Sequence, residues 1–169
     1  MKTFTVNDFA KMAIVAALYV VLTTLPPLNA ISYGAYQFRV AEMLNFLAFY
    51  NRRYIVSVTV GCMIANFFTY GLIDVVVGGL STLIFVSLGV YLFKGYMKER
   101  LFGGVFNKAF FFFSFFFAAS MVTVAAELVI VANAPFWFTW LTTALGELAS
   151  LLIGALVIDR ISKQIDFTR

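Results

Sequence analysis

The chain alternates long apolar stretches with short polar segments. Five stretches approach the roughly 20 residues that an α-helix needs to cross a bilayer, and a sixth is shorter. The predicted helices cover residues 8–25, 40–50, 54–70, 75–93, 109–132 and 136–158. A proline pair ends the first helix, and a polar and aromatic loop follows over 28–38. This pattern predicts an all-α integral membrane protein, a bundle of six transmembrane helices within one transmembrane domain, residues 1–169.

The basic residues lie almost entirely on one side of this predicted bundle. With the N-terminus inside, the outer segments carry Arg39 alone among 12 lysines and arginines. The basic residues of the inner segments are Lys2, Lys11, Arg52, Arg53, Lys94, Lys98, Arg100, Lys108, Arg160, Lys163 and Arg169. This is the positive-inside pattern, which predicts cytoplasmic N- and C-termini in a multi-pass membrane protein.

Composition excludes several classes of protein. A chain of 169 residues that is 63% hydrophobic and 12% charged is too apolar for a water-soluble domain. Its net charge of +4 is scattered over several inner segments, which favours anionic lipid headgroups over nucleic acid as partners. The absence of histidine excludes His-ligated metal and His-based catalysis. Cys62 lies inside an apolar stretch, where we expect it to be buried.

Every acidic residue within the membrane or in an outer segment of the predicted bundle lies in its outer half. They are Glu42, Asp74, Glu127 and Glu147. Glu147 lies about 16 Å below the outer surface at a rise of about 1.5 Å per residue. A carboxylate inside a membrane costs about 2.5–3.5 kcal/mol, so each one needs a partner. Arg39 can pair with Glu42 three residues along a helix, and the other three acids then remain for a ligand with several N–H donors.

Glu147 has polar and aromatic neighbours on its own helix face. Thr143, one turn before it, is expected to donate a hydrogen bond to the carboxylate, and Trp140 offers a flat surface two turns before it. The alternative is an interhelical hydrogen bond that holds the bundle together. Outer aromatic residues such as Tyr36 and Trp137 are typical of an interfacial belt, although some could stack on a planar ligand.

Small residues mark one face of the first helix. Ala10, Ala13 and Ala17 recur at a spacing that lets another helix approach closely. The chain has no phosphate-binding Gly-rich loop, no H-E-x-x-H motif and no G-x-S-x-G motif. We therefore expect no cofactor and no enzymatic activity, and active transport would draw its energy from another subunit or from an ion gradient.

Several motifs resemble those of the substrate-binding S components of energy-coupling-factor (ECF) transporters. The six-helix size, the alanine face of the first helix and the long outer loop are shared features. The resemblance is closer to the QueT group, proposed to import queuosine precursors. It lies in Gln37-Phe38-Arg39-Val40-Ala41-Glu42, in the run from Ala65-Asn66 through Gly71-Leu72-Ile73-Asp74 to Thr82, and in Gly146-Glu147.

The resemblance implies a planar deazaguanine ligand. Glu147 is the first choice to accept its ring N–H and exocyclic amine together, with Glu42 or Glu127 next, because a charged acceptor strengthens both bonds. Asn66 and Gln37 would read the carbonyl and ring edge, and a tryptophan or tyrosine would stack on its face. Family membership further implies a transmembrane scaffold subunit, which the first helix contacts, and two ATPase subunits. The S component would reorient in the membrane to release its ligand.

Three other interpretations differ in what they require. An S component for another vitamin-like heterocycle would keep the fold and change the ligand. A stand-alone proton-coupled carrier would use Glu147 or Glu127 as a proton site, but the chain has neither an internal repeat nor polar groups in the inner half. A membrane enzyme would need clustered acids for a metal, and the acids here lie on different helices without paired spacing.

Overall fold

A computed structural model describes residues 5–33, 36–68 and 71–168, and these residues are mostly helical. The α-helices are α1 (Val6–Thr24), α2 (Pro26–Ser32), α3 (Arg53–Phe67), α4 (Leu72–Phe93), α5 (Lys108–Ala119), α6 (Val122–Ala132) and α7 (Phe136–Ile161). A 3₁₀ helix runs over Val40–Phe49, and two short strands, β1 (Arg100–Leu101) and β2 (Phe106–Asn107), form an antiparallel hairpin between α4 and α5.

Among the described residues, four helical segments are long and apolar enough to cross a membrane. They are Val6–Thr24, Leu72–Tyr96, Lys108–Ala132 and Phe136–Ile161. The 3₁₀ helix and α3 are apolar but shorter. This confirms the predicted all-α membrane protein, because a soluble protein has no use for so many exposed apolar helices. The end of the predicted helix 54–70, Thr69-Tyr70, lies outside the described residues, as do Gly34 of the loop 28–38, Lys2 and Arg169.

The 3₁₀ helix Val40–Phe49 lies at the centre of the molecule. It packs against α1, α3, α4 and α7, and eight of its residues are buried. On its α5 side, Phe46 and Phe49 pack against Phe110 and Phe113, with ring centroids 4.5–5.5 Å apart. A 3₁₀ helix rises about 2.0 Å per residue, so this segment is longer than an α-helix of the same residue count. It is surrounded by protein, which explains why its residues are apolar on every side apart from Glu42 and Asn45.

Two sequence predictions about the helices are wrong in detail. Pro26 and Pro27 end α1, but they also begin α2, because proline fits the first turn of a helix, where the backbone N–H has no partner. The predicted continuous helix 109–132 is broken at Ser120 and Met121. At this break the hydroxyl of Ser120 donates to Phe117 O at 2.6 Å, and Trp140 Nε1 donates to Ala119 O at 3.1 Å. Side chains thus satisfy the carbonyls that the break releases.

The ion pairs found among the described residues lie at the end of the molecule that holds the hairpin and the start of α1. Arg53 pairs with Asp8, Arg100 with Asp159 at 2.6 Å, and Lys108 with Glu99 at 2.6 Å. Lys163 lies 3.8 Å from Asp159. Several basic residues that we expected to face lipid headgroups therefore have acidic partners within the protein. Cys62 is buried and unpaired with another cysteine, as predicted.

Candidate functional site

Arg39 anchors the segment that leads into the central 3₁₀ helix. Its Nε donates to Ser32 O at 3.4 Å, and a terminal guanidinium nitrogen donates to Gln37 Oε1 at 3.3 Å. The guanidinium lies 5.1 Å from the ring centroid of Tyr33. The backbone carbonyl of Arg39 accepts a 2.5 Å hydrogen bond from the Ser150 hydroxyl. These contacts hold the residue between α2 and α7, and its side chain is 4% exposed.

Gly146 allows the segment that contains Arg39 to pack closely against α7. A Cβ at Gly146 would overlap the carbonyl oxygen of Tyr36 and lie 2.5 Å from its carbonyl carbon. The backbone of Tyr36 and Gln37 therefore lies directly on the α7 backbone. Gln37 has a φ of 42°, in the left-handed region, and its side chain is buried. A side chain at position 146 would exclude this approach, which explains a glycine beside the functional candidate Glu147.

Four buried carboxylates lie within electrostatic range of Arg39. Glu42, Asp74, Glu127 and Glu147 are 2%, 2%, 5% and 0% exposed, and the positive charge of Arg39 favours the ionised form of each. Among residues 5–33, 36–68 and 71–168, none of them forms a direct ion pair with Arg39. The structure therefore brings together the acids that the sequence predicted, from four different helices, around one cation.

The predicted pair between Arg39 and Glu42 is wrong as a direct contact. Tyr19 on α1 donates its hydroxyl to Glu42 Oε1 at 2.5 Å, and Asn45 Nδ2 donates to Glu42 Oε2 at 2.6 Å. Both oxygens of Glu42 therefore have neutral donors. The sequence pattern did not predict Tyr19 and Asn45 as partners of Glu42. A signal for Asn45 was present, since it is the one other polar residue of the apolar run 40–49 and lies three residues after Glu42.

Glu147 is buried with both carboxylate oxygens unpaired among the described residues. The predicted hydrogen bond from Thr143 is wrong. The Thr143 hydroxyl donates instead to the carbonyl oxygens of Thr139 at 2.8 Å and Trp140 at 3.2 Å. A threonine within a helix readily bonds to the carbonyl four residues before it, and this competes with a neighbouring side chain. Glu147 interacts electrostatically with Glu42, so the two acids belong to one group.

Asp74 and Glu127 form a second acidic group on α4 and α6. Their carboxylates are near enough to interact with each other. Asp74 Oδ2 and Glu127 Oε2 have no hydrogen-bond partner in the described part of the chain. Asn66 lies beside them, since its Nδ2 donates to Asp74 O at 3.1 Å and its Oδ1 accepts from the Tyr33 hydroxyl at 3.2 Å. The Asn66 amide thus joins the region of α2 to the start of α4.

The predicted aromatic residues fall into two groups. The side chains of Tyr36 and Trp137 are 63% and 73% exposed, which is typical of an interfacial belt. Trp140 is half-buried and its N–H is bonded at the break between α5 and α6. Its ring centroid lies 5.9 Å from that of Trp137. Stacking of these rings on a ligand stays a prediction.

The sequence matches a family profile described as "QueT: QueT transporter" over residues 9–163. It is also 56% identical over 169 residues to the "Queuosine precursor transporter QueT" of Lactococcus lactis subsp. cremoris (strain MG1363), and the alignment covers 100% of both chains. No solved structure matches the chain.

Proposed function

Because the chain belongs to the QueT transporter family, we propose that it is the substrate-binding S component of an ECF-type importer that captures a queuosine precursor. The family is a transporter family, and several apolar helices make this chain a multi-pass protein of the cell membrane. The proposal adds the ligand, which is a queuosine precursor in the name of the relative and a planar deazaguanine by the resemblance, and the coupling to a separate energising module.

The unpaired Glu147 carboxylate is the observation that carries the ligand proposal. It is fully buried, and both oxygens lack a partner among the described residues. An unpaired buried carboxylate is costly, so a ligand that supplies two donors gains the full strength of charge-assisted hydrogen bonds. The edge of a deazaguanine supplies a ring N–H and an exocyclic amine side by side. Glu147 is therefore the residue that recognises this edge.

The remaining residues of the site have supporting roles. Glu42 is engaged by Tyr19 and Asn45, so it holds α1 against the 3₁₀ helix and is a weaker candidate for ligand contact than Glu147. Asn66 and Gln37 bring amide groups to the same cluster, where they read the carbonyl and ring edge. The backbone anchor at Arg39 fixes the segment that carries Gln37.

Six membrane spans with cytoplasmic termini complete the proposal. The two shorter apolar helices, Val40–Phe49 and Arg53–Phe67, add to the four of spanning length, and the 3₁₀ helix reaches farther per residue than an α-helix would. The ion pairs lie at the end rich in basic residues, which the positive-inside rule places in the cytoplasm. The cluster that contains Arg39 then lies in the outer half of the membrane.

The binding proposal is tested by titrating the purified protein with deazaguanines, guanine, thiamine and riboflavin. We expect tight binding of a deazaguanine, and a loss of about 10- to 100-fold in Glu147→Gln, because the amide replaces a charged acceptor with a donor. Glu99→Gln is the matched control, since Glu99 pairs with Lys108 at the other end of the molecule. Binding of a vitamin instead would identify a different ligand, and unchanged affinity in Glu147→Gln would contradict the assigned role.

The alanine face of α1 carries the coupling proposal. Ala10, Ala13 and Ala17 are exposed on this helix, so a scaffold subunit can approach its backbone closely. We expect Ala13→Trp to abolish uptake in cells that hold the ATPase module while binding by the purified protein is unchanged. Loss of binding would contradict a surface role for this face. Uptake by the isolated chain in vesicles, driven by a pH gradient, would favour a proton-coupled carrier.

A further inference from the structure

A small pocket lies between the β1–β2 hairpin and the last turns of α7. Its volume is about 210 Å³, and it is lined by Gly104, Val105, Leu156, Asp159, Arg160 and Lys163. It lies at the end of the molecule that holds the ion pairs, since Asp159 takes part in two of them. The pocket is therefore separate from the candidate ligand site, which contains none of these residues.

The charged groups at this pocket leave an excess of positive charge. Asp159 is the acid of the lining; its carboxylate pairs with Arg100 at 2.6 Å and lies 3.8 Å from the ammonium group of Lys163. Arg160 is exposed and takes part in none of the ion pairs found in residues 5–33, 36–68 and 71–168. Three basic side chains thus face one carboxylate, and a negatively charged ligand would balance the remainder.

The lining changes from apolar to basic along α7. Leu156 is half-buried and lies one helical turn, about 6 Å, before Arg160. Lys163 follows just after the end of the helix. Val105 of the hairpin adds a second apolar side chain to the lining and is 56% exposed. A phospholipid shows the same order across a membrane interface, with its acyl chains deeper than its phosphate, whereas a soluble anion would use the basic half alone.

The hairpin presents its apolar side chains from a defined turn. Gly103 and Gly104 have φ values of 67° and 98°, in the left-handed region that glycine adopts without strain. The ring of Phe102 is 66% exposed, and its centroid lies 5.4 Å from that of Phe111 and 6.3 Å from that of Phe106. An exposed apolar ring that is held in place close to basic side chains suits insertion at the boundary between headgroups and acyl chains.

We propose that this pocket binds an anionic phospholipid of the cytoplasmic leaflet. The lipid phosphate contacts Arg160 and Lys163, and the glycerol and the upper acyl chain pack against Val105 and Leu156. Basic pockets at the cytoplasmic side of membrane helices bind the headgroups of such lipids. This binding site goes beyond the proposed function, from which it takes only the cytoplasmic position of the hairpin. The bound lipid joins the hairpin to the end of α7.

The test measures lipid binding by the delipidated full-length protein in an uncharged detergent. Phosphatidylglycerol and phosphatidylcholine with the same acyl chains are titrated, and native mass spectrometry gives the fraction of protein that retains each lipid. We expect the wild type to bind phosphatidylglycerol more tightly. A basic residue near the membrane surface contributes about a fivefold gain, so Arg160→Gln and Lys163→Gln should each weaken this lipid about fivefold. The double variant should lose the preference for it.

The variants are compared with matched controls. Arg160 and Lys163 are exposed, and Asp159 keeps its partner Arg100 in both variants, so we expect all of these proteins to fold. Arg52→Gln and Lys94→Gln each remove an exposed basic side chain outside the pocket and should leave the affinity for phosphatidylglycerol unchanged.

A second pair of variants tests the apolar half of the pocket. Val105→Ser should weaken both lipids by the same factor, because it removes apolar contact and no charge. Val131→Ser changes an exposed valine near the end of α6 and should weaken neither lipid.

Four results would overturn the inference. Equal affinity of the wild type for the two lipids would remove the role of charge, and unchanged binding in the double variant would place the lipid elsewhere. A loss in Arg52→Gln as large as that in Arg160→Gln would show attraction to the whole basic end of the protein. Displacement of phosphatidylglycerol by inorganic phosphate would assign the pocket to a soluble anion. The titration with deazaguanines is independent of all four results, so the proposed function is tested separately.

Discussion

Gly146→Ala tests how closely the segment before the 3₁₀ helix must lie on α7. The added Cβ would overlap Tyr36 O and would lie 2.5 Å from the Tyr36 carbonyl carbon and 3.3 Å from that of Gln37. These are backbone atoms, so no flexible side chain can move aside. Ordinary contact between carbon atoms is about 3.5–4.0 Å, so the carbonyl carbon alone requires a shift of at least about 1 Å, and the overlapping oxygen requires more.

The expected loss of stability and of ligand affinity in Gly146→Ala follows from the groups that this shift displaces. The segment carries Gln37 and the carbonyl of Arg39, which accepts from Ser150 at 2.5 Å. Overpacking of this kind costs about 1–3 kcal/mol, and a weakened hydrogen bond adds about 1 kcal/mol. Alanine regains at most about 1 kcal/mol through its higher helix propensity. Binding sites tolerate displacements of about 0.5 Å, so we expect at least a tenfold loss of ligand affinity.

Thermal unfolding in detergent and ligand titration on the same sample check this prediction. Gly95→Ala is the matched control, since a Cβ there has no atom within 4 Å. We expect Gly146→Ala to lower both the melting temperature and the affinity, and Gly95→Ala to change neither. A Gly146→Ala protein with wild-type affinity would show that the position of Gln37 and Arg39 does not depend on this contact.

Two further substitutions test single hydrogen bonds. Tyr19→Phe removes the donor to Glu42 and should lower the free energy of unfolding by about 1.5–3 kcal/mol, because the acceptor is charged; Tyr91→Phe, at a 78% exposed side chain, should leave the melting temperature unchanged. Trp140→Phe frees the carbonyl at the end of α5 and should cost about 1–3 kcal/mol. Trp137→Phe, at an exposed position, should leave the melting temperature unchanged. If Trp137→Phe instead lowered the melting temperature more than Trp140→Phe, Trp140 would have a role in the ligand site alone and none in stability.

The sequence predicted the membrane class and the acids of the site for a physical reason. Apolar length and buried charge are properties of single residues and their spacing, so Glu42, Asp74, Glu127 and Glu147 stood out in an apolar background. Placing each helix end on one side of the membrane put all four in the outer half of the bundle, but it did not predict that they share Arg39 as a neighbour. The structure adds that the four acids share one neighbourhood across separate helices.

The hydrogen-bond partners of the site residues were less predictable from the sequence than the depth of those residues in the bundle. Thr143 lies one turn from Glu147, yet its hydroxyl bonds to its own helix, and the choice depends on rotamers that spacing does not set. Tyr19 reaches Glu42 from a helix 23 residues away, a contact that depends on how α1 packs on the 3₁₀ helix. The break at Ser120 gave no proline or glycine signal, since side chains of Ser120 and Trp140 stabilise it.

Acids with partners and acids without partners lie at opposite ends of the molecule, and this has a consequence for the ligand-free protein. At one end of the molecule three acids are paired with basic residues, whereas at the opposite end Asp74, Glu127 and Glu147 keep buried oxygens without a hydrogen-bond partner among the described residues. We expect the ligand-free form to have the lower free energy of unfolding. Bound ligand would raise this free energy, and the increase grows as the ligand concentration rises above the dissociation constant. Cells short of the nutrient would then hold fewer intact copies at a given rate of synthesis, because membrane proteases remove what unfolds.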